Sequence, residues 1–145
     1  MRASSAFLAA AIAAALSVFS ACGVPNLESP ACIDARYALR TFYSFHFDVG
    51  VSDEHERDVE VRKDFLTPQF FQTLMRREKA LNDPFTVSDS LPTTFKIGEC
   101  SESGGSARFR VQVYWRDDRA TIQKDFFVTM KQQEDKWRID EITEH

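Results

Sequence analysis

The chain holds 145 residues, of which 43% are hydrophobic and 28% charged, with a formal net charge of −4. That size suits a single domain built on one core. The mild acidity argues against nucleic acid as a partner, which normally needs a basic face.

The first 22 residues carry the clearest signal. Met1 and Arg2 open a short positive start, the run from Ala6 to Phe19 is almost wholly apolar, and small residues close on a cysteine in Phe19-Ser20-Ala21-Cys22. A positive start, a short apolar run and small exit residues describe an export signal rather than a spanning helix. A cysteine directly after that exit resembles the signal of bacterial lipoproteins, although Phe19 stands where an aliphatic residue is usual. The resemblance implies that Cys22 is lipidated and becomes the mature N-terminus. Gly23 after it leans toward the periplasmic face of the outer membrane, with the bilayer as a partner through the lipid. The other reading of the same residues is a secretory signal cut near Ala21, leaving a free thiol at Cys22. Removal of residues 1–21 leaves 124 residues and moves the net charge from −4 to −5.

Residues 22–28 read as a tether, since Gly23 to Glu28 contains Gly, Pro and Asn and no periodic apolar pattern. At about 3.5 Å per residue it lets the domain, residues 29–145, stand no more than about 20–25 Å from the membrane. Besides Cys22 the chain has two cysteines, Cys32 and Cys100. In an exported domain an even remainder predicts a disulfide, with two unpaired buried thiols as the alternative.

Ser29-Pro30 is a cap followed by proline at the first helical position. From Ala31 to about Phe47, Cys32, Ala35, Leu39 and Phe42 recur at helical spacing, with Tyr37, Tyr43 and Phe47 broadening the stripe, and Gly50 ends the helix. The polar run Val51 to Asp58 reads as a loop, and Val59 to Leu66 as a short second helix. Within the loop, Asp53-Glu54-His55-Glu56 with Asp58 has oxygens for a cation but lacks the glycine and spacing of a calcium loop, so a solvated loop is expected and no metal or other cofactor. Thr67-Pro68 repeats the cap signal and opens a helix bearing Phe70, Phe71, Leu74, Met75 and Leu81 on one side, with Arg76, Arg77, Glu78 and Lys79 toward water. Asn82-Asp83-Pro84 stops it.

Beyond this point the period becomes alternating. Thr93 to Cys100 reads as a strand and Ser101 to Ser106, with Gly104-Gly105, as a hairpin turn. In Arg108 to Arg116, Phe109, Val111, Val113 and Trp115 face one way and Arg108, Arg110, Gln112 and Tyr114 the other. Asp117-Asp118 turns into a strand from Ala120 to Met130, with Ile122, Phe126, Val128 and Met130 on one side. Gln133 to Asp135 turns again, and Trp137 to Ile142 is the last strand. Helices followed by four strands joined by short turns predict an α+β domain, with an antiparallel sheet wrapped on the long first helix.

Phe42-Tyr43 on that helix, Leu66-Thr67-Pro68 with Phe70-Phe71, the Asp83-Pro84-Phe85 turn and the terminal Trp137-Arg138-Ile139-Asp140-Glu141-Ile142 together resemble bacterial lipoproteins of the nuclear transport factor two-like, cystatin-like fold. Where those proteins tend to carry Gln-Asp after the turn, this chain has Ser88-Asp89. The resemblance implies a cone-like domain with a cavity, and such a fold hosts enzymes, carriers and interaction modules alike. Polar candidates for the cone mouth are Tyr37, Tyr43, His46, Asp89 and Tyr114, of which His46 is expected half-buried at a helix end. The sheet's outer face, with Arg108, Arg110, Gln112, Asp125, Thr129, Arg138 and Asp140, is either a set of exposed cross-strand ion pairs or a surface for an envelope partner or a second copy. The function expected from these features is that of a non-enzymatic envelope lipoprotein, a binding or interaction module such as an inhibitor or immunity protein. The alternative is a carrier or ketosteroid isomerase-like enzyme working in the cone cavity. An open pocket with convergent polar groups separates the second from the first.

Overall fold

A computed structural model describes residues 28–77, 82–116 and 120–144. The export signal, Cys22, most of the tether, Glu78, Lys79, Leu81 and the Asp117-Asp118 turn lie outside the described residues.

Helix α1 spans Pro30–Val49. It starts where the Ser29 hydroxyl accepts the Cys32 N–H at 3.2 Å, with proline in the first turn. It stops at Gly50, whose φ of 72° suits only a residue without Cβ and whose N–H reaches the His46 carbonyl at 3.0 Å. Cys32, Ala35, Leu39, Phe42, Tyr43 and His46 form its buried stripe. Tyr37 does not belong to that stripe. It lies two residues from both Ala35 and Leu39, on the far side of a 3.6-residue turn, and is 76% exposed.

Helix α2 spans His55–Val61, so it begins inside the run expected to be a loop. The Asp58 carboxylate accepts the Ser52 N–H at 2.8 Å and the Ser52 hydroxyl at 2.9 Å, folding the polar run back onto the helix it precedes. Acidic Glu56 and Asp58 in the first turn suit the positive end of the helix dipole. The segment expected to continue as helix to Leu66 instead tightens into one 3₁₀ turn over Lys63–Phe65. Helix α3, Pro68–Met75, is capped by the Thr67 hydroxyl and buries Phe70, Phe71 and Leu74. It ends earlier than expected: the Arg77 N–H closes a shorter bond to the Leu74 carbonyl, and His55 Nε2 bonds the same oxygen at 3.0 Å.

The strands are β1 (Thr94–Ser103), β2 (Ser106–Arg116), β3 (Thr121–Gln133) and β4 (Lys136–Glu144), antiparallel in the order β1-β2-β3-β4. Gly104 and Gly105 at positive φ make the two-residue turn between β1 and β2. Glu134 and Asp135 take the same backbone form between β3 and β4 without glycine. In β1 the register slips by one residue between Ile97 and Cys100, and Gly98 sits there because a Cβ would meet the Arg110 carbonyl oxygen at 3.0 Å.

Alternation in β2 follows expectation through Phe109, Val111 and Val113, all buried, and the strand starts two residues earlier than expected, which adds Ala107 to the same side. The oily face then runs out. Trp115 is half-buried with its Nε1 donating to the Ser90 carbonyl at 3.2 Å, and Ile122, its cross-strand partner, is 59% exposed. Phe126, Val128, Met130 and Ile139 complete the inner face, on which the α1 stripe packs, while Phe71, Leu74 and Phe85 close the rest of the core. Cys32 and Cys100 are disulfide-bonded with Cα atoms 6.0 Å apart, fastening α1 to β1.

Candidate functional site

Three segments that are remote in sequence bring polar groups together at one end of the core: the last turn of α1, the end of α2 and the loop 82–91. His46 and Arg62 are fully buried and Asp83 is 8% exposed. Arg62 Nε donates to His46 Nδ1 at 2.7 Å, Nη1 to the Asp58 carbonyl at 2.7 Å and Nη2 to the Gly50 carbonyl at 2.6 Å. A guanidinium N–H can only donate, so His46 Nδ1 is an acceptor and the ring carries its proton on Nε2, 2.8 Å from Asp83 Oδ2. Asp83 further accepts the Phe85 N–H at 3.0 Å and the Thr86 hydroxyl at 2.5 Å, which folds the loop into a tight turn. The chain closes with the Asp83 N–H on the Ser88 carbonyl at 2.8 Å.

Burial raises the Asp83 carboxyl, but the His46 contact, then the Thr86 hydroxyl and the Phe85 N–H, more than reverse that and hold it below the usual aspartate value. Burial lowers Arg62, with Asp58 and Asp83 opposing. Tyr43 is pushed well above the ordinary phenol value, by burial first and by the Asp83 charge second, and its hydroxyl donates to the Phe85 carbonyl at 2.9 Å. Val87 in the same loop holds φ at 52°, strained for a β-branched residue, while its carbonyl accepts from Lys124 Nζ.

A cleft of about 440 Å³ opens over this knot, with Ser52, Asp53 and His55 on one wall and Pro84, Asp89 and Leu91 on the other. Its floor is His46, Arg62 and Asp83, whose polar atoms are bonded to one another and to backbone. Such a floor holds three chain segments in place. Among the described residues, no group of three or more His, Cys, Asp or Glu is arranged to hold a metal ion.

A different set of polar residues covers the sheet's outer face. Arg110 pairs with Asp125, and Asp125 Oδ1 also accepts Gln123 Nε2 at 2.7 Å and Gln112 Nε2 at 3.4 Å. The Gln123 bond, then Arg110, holds the Asp125 carboxyl below its ordinary value, and Asp125 raises Arg110 in return. Arg108 lays its guanidinium 4.3 Å from the Phe127 ring centre, beside a hollow of about 250 Å³ that Glu99 and Arg110 also line. Thr129 lies opposite Arg108 on β3.

The residues predicted from sequence therefore fall into separate places. Tyr43 and His46 are buried, His46 wholly rather than half; Asp89 is exposed at the cleft rim. Tyr37 is on the solvent side of α1, and Tyr114 lies on the sheet's outer face with its hydroxyl 3.3 Å from Gln112 Oε1. No common cone mouth unites the five. Of the outer-face set, Arg108, Arg110, Gln112 and Asp125 cluster as expected. Asp140 is turned aside at the β4 bulge, accepting the Thr67 hydroxyl at 2.9 Å and pairing with Lys131 at 2.6 Å. Arg138, expected exposed, keeps only 21% of its side chain in solvent and approaches Glu134 at 3.9 Å.

Arg62 and Asp83 were not among the residues singled out from sequence. Asp83 stood in a helix-stopping Asn-Asp-Pro, and the signal for more was the aspartate itself, whose side chain can accept the N–H two residues on, here that of Phe85, in an Asx-turn. Arg62 had no such signal, because its partners are carbonyls and a histidine distant in sequence.

No family model and no curated protein matches the chain. Among solved structures it is similar to a protein of unknown function from Bacteroides thetaiotaomicron VPI-5482, with a TM-score of 0.55 and 16% identity over 77% of this chain and 90% of that one. At that identity the likeness is one of fold, the α+β arrangement of helices on a four-stranded antiparallel sheet.

Proposed function

We propose that this protein is a lipid-anchored envelope lipoprotein with a nuclear transport factor two-like domain, held through Cys22 and acting as a non-enzymatic binding module by the outer face of its sheet. The observation that carries this reading is how the interior polar groups are used. Phe42, Phe85, Phe109 and Phe126 fill the space between α1 and the sheet, and the Tyr43 hydroxyl is spent on the Phe85 carbonyl. A small-molecule enzyme needs a few polar groups converging on an open pocket. Here the cleft lies to one side of the core, and its floor groups are committed to each other. The outer face differs in its exposure: Arg110, Gln112 and Tyr114 also bond with one another and with Asp125, but they do so at the surface, and with Arg108 on Phe127 they supply arginine and aromatic side chains of the kind enriched where proteins meet. An inhibitor or immunity protein is one form that such a module takes.

Capture from native membranes tests the reading. The lipidated protein should retain an envelope partner that a double Arg108→Glu, Arg110→Glu variant loses, with both proteins unfolding at nearly the same denaturant concentration. Equal capture by the variant would remove the face from consideration. A ketosteroid isomerase-like or carrier role in the cleft would instead show as loss of function on altering Ser52 or Asp89 at its walls.

A further inference from the structure

The exposed side of α1 carries a small amphipathic stripe at its N-terminal end: Ile33 is 55% exposed and Tyr37, one turn on, is 76% exposed. Arg40 continues the stripe, with Asp34 at its margin and polar Thr41 and Ser44 beyond. None of this stripe is needed by the fold, because the opposite side of α1 supplies the core.

Its position relative to the anchor gives it an occupant. The cap of α1, Ser29, is joined to Cys22 by so short a chain that it stays within about 20–25 Å of the lipid. Tyr37 is eight residues farther along a helix, about 12 Å. A helix lying along the surface therefore brings Ile33, Tyr37 and Arg40 to the headgroup layer without stretching the tether. The chemistry fits that layer: tyrosine is favoured at membrane interfaces, isoleucine prefers the acyl boundary, and an arginine stem lies along apolar surface while its charge meets phosphate.

Resting on the lipoprotein reading above, we infer that the exposed α1 stripe of Ile33, Tyr37 and Arg40 is the surface with which the domain lies on the bilayer. Since α1 packs on the inner face of the sheet, this seating turns the outer face, with Arg108, Arg110 and Gln112, away from the membrane and toward the aqueous envelope. The lipid would then fix orientation as well as location.

Nitroxide labelling of the full chain as the exporting cell processes it, mixed with phosphatidylethanolamine vesicles containing a minor share of phosphatidylglycerol, tests this. Labels are placed singly at Tyr37→Cys, Arg40→Cys and Gln112→Cys; the position 40 label leaves both apolar side chains in place, and thermal unfolding checks each fold. The expected result is a several-fold higher ratio of oxygen to nickel-chelate collisions at 37 and 40 than at 112. Equal ratios at all three, in protein that still floats with the vesicles, would overturn the seating while leaving the anchor intact. Labels at 37 and 40 shielded from both reagents would overturn it in favour of a contact with a second copy. Protein that does not float with the vesicles at all would overturn the lipoprotein reading and the seating together.

Discussion

Two polar assemblies in this domain use the same kinds of side chain for opposite ends. In the knot, His46 and Arg62 are out of water and Asp83 nearly so, so their polar atoms need partners inside the protein, and each side-chain nitrogen and each carboxylate oxygen has one. On the sheet, Arg110 and Asp125 pair in the presence of water, which competes for both. Removing a member of the first set strands a buried charge. Removing a member of the second returns the survivor to solvent. Burial, more than residue type, thus separates the part of the molecule that holds the fold from the part that remains free to bind something else.

The largest expected effects fall on buried fastenings. Asp83→Ala should cost about 3–5 kcal/mol in denaturant unfolding, because it leaves His46 and the Phe85 and Thr86 donors without their acceptor. Breaking the Cys32–Cys100 disulfide by serine substitution should cost about 4 kcal/mol, the loop-closure entropy of a 68-residue separation. A loss below about 1 kcal/mol for Asp83→Ala would mean that the knot behaves like a surface pair and that its groups are available for chemistry.

Acid sharpens the same contrast. The Asp83 carboxyl is held below its ordinary value in the folded protein, so the unfolded chain takes up that proton first as the pH falls. Its contribution is fully present above the unfolded aspartate value and is lost as pH falls through the lower folded value. Asp83→Asn should therefore flatten the acid limb of stability against pH. A limb unchanged by the substitution would mean that other carboxylates set it.

Smaller effects are expected elsewhere. Tyr43→Phe removes one buried hydrogen bond and should cost about 1 kcal/mol. A double-mutant cycle between Arg110 and Asp125 should give a coupling of only about 0–1 kcal/mol, since Arg110 is exposed and the pair lies at the surface in contact with water. Coupling above about 2 kcal/mol would place the face with the knot as a structural device.

What could be read from sequence divides along the same line. Local signals held: Ser29-Pro30 and Thr67-Pro68 began helices, Gly104-Gly105 turned a hairpin, and alternation from Phe109 to Val113 found the buried side of β2. Periodicity failed where an element met its end. Trp115 and Ile122 keep the correct side of the sheet but sit near the end of the β2–β3 pair, half-buried and exposed in turn, and Tyr37 kept an aromatic identity on the wrong side of α1. The knot was beyond reach because its hydrogen bonds join residues 16 and 37 positions apart, and spacing along the chain carries no trace of such pairing. On the outer face, Arg108, Arg110, Gln112 and Asp125 were legible because neighbouring strands in a meander place alternate residues side by side.

The most direct measurement sets one assembly against the other in a single capture experiment from native membranes. Arg108→Glu with Arg110→Glu on the sheet is compared with Asp89→Ala on the cleft rim, all in folded, lipidated protein. A binding module that works through its sheet should lose its partner with the first variant and keep it with the second. Full retention by the sheet variant together with loss on altering Asp89 would contradict that assignment and move the function to the cleft.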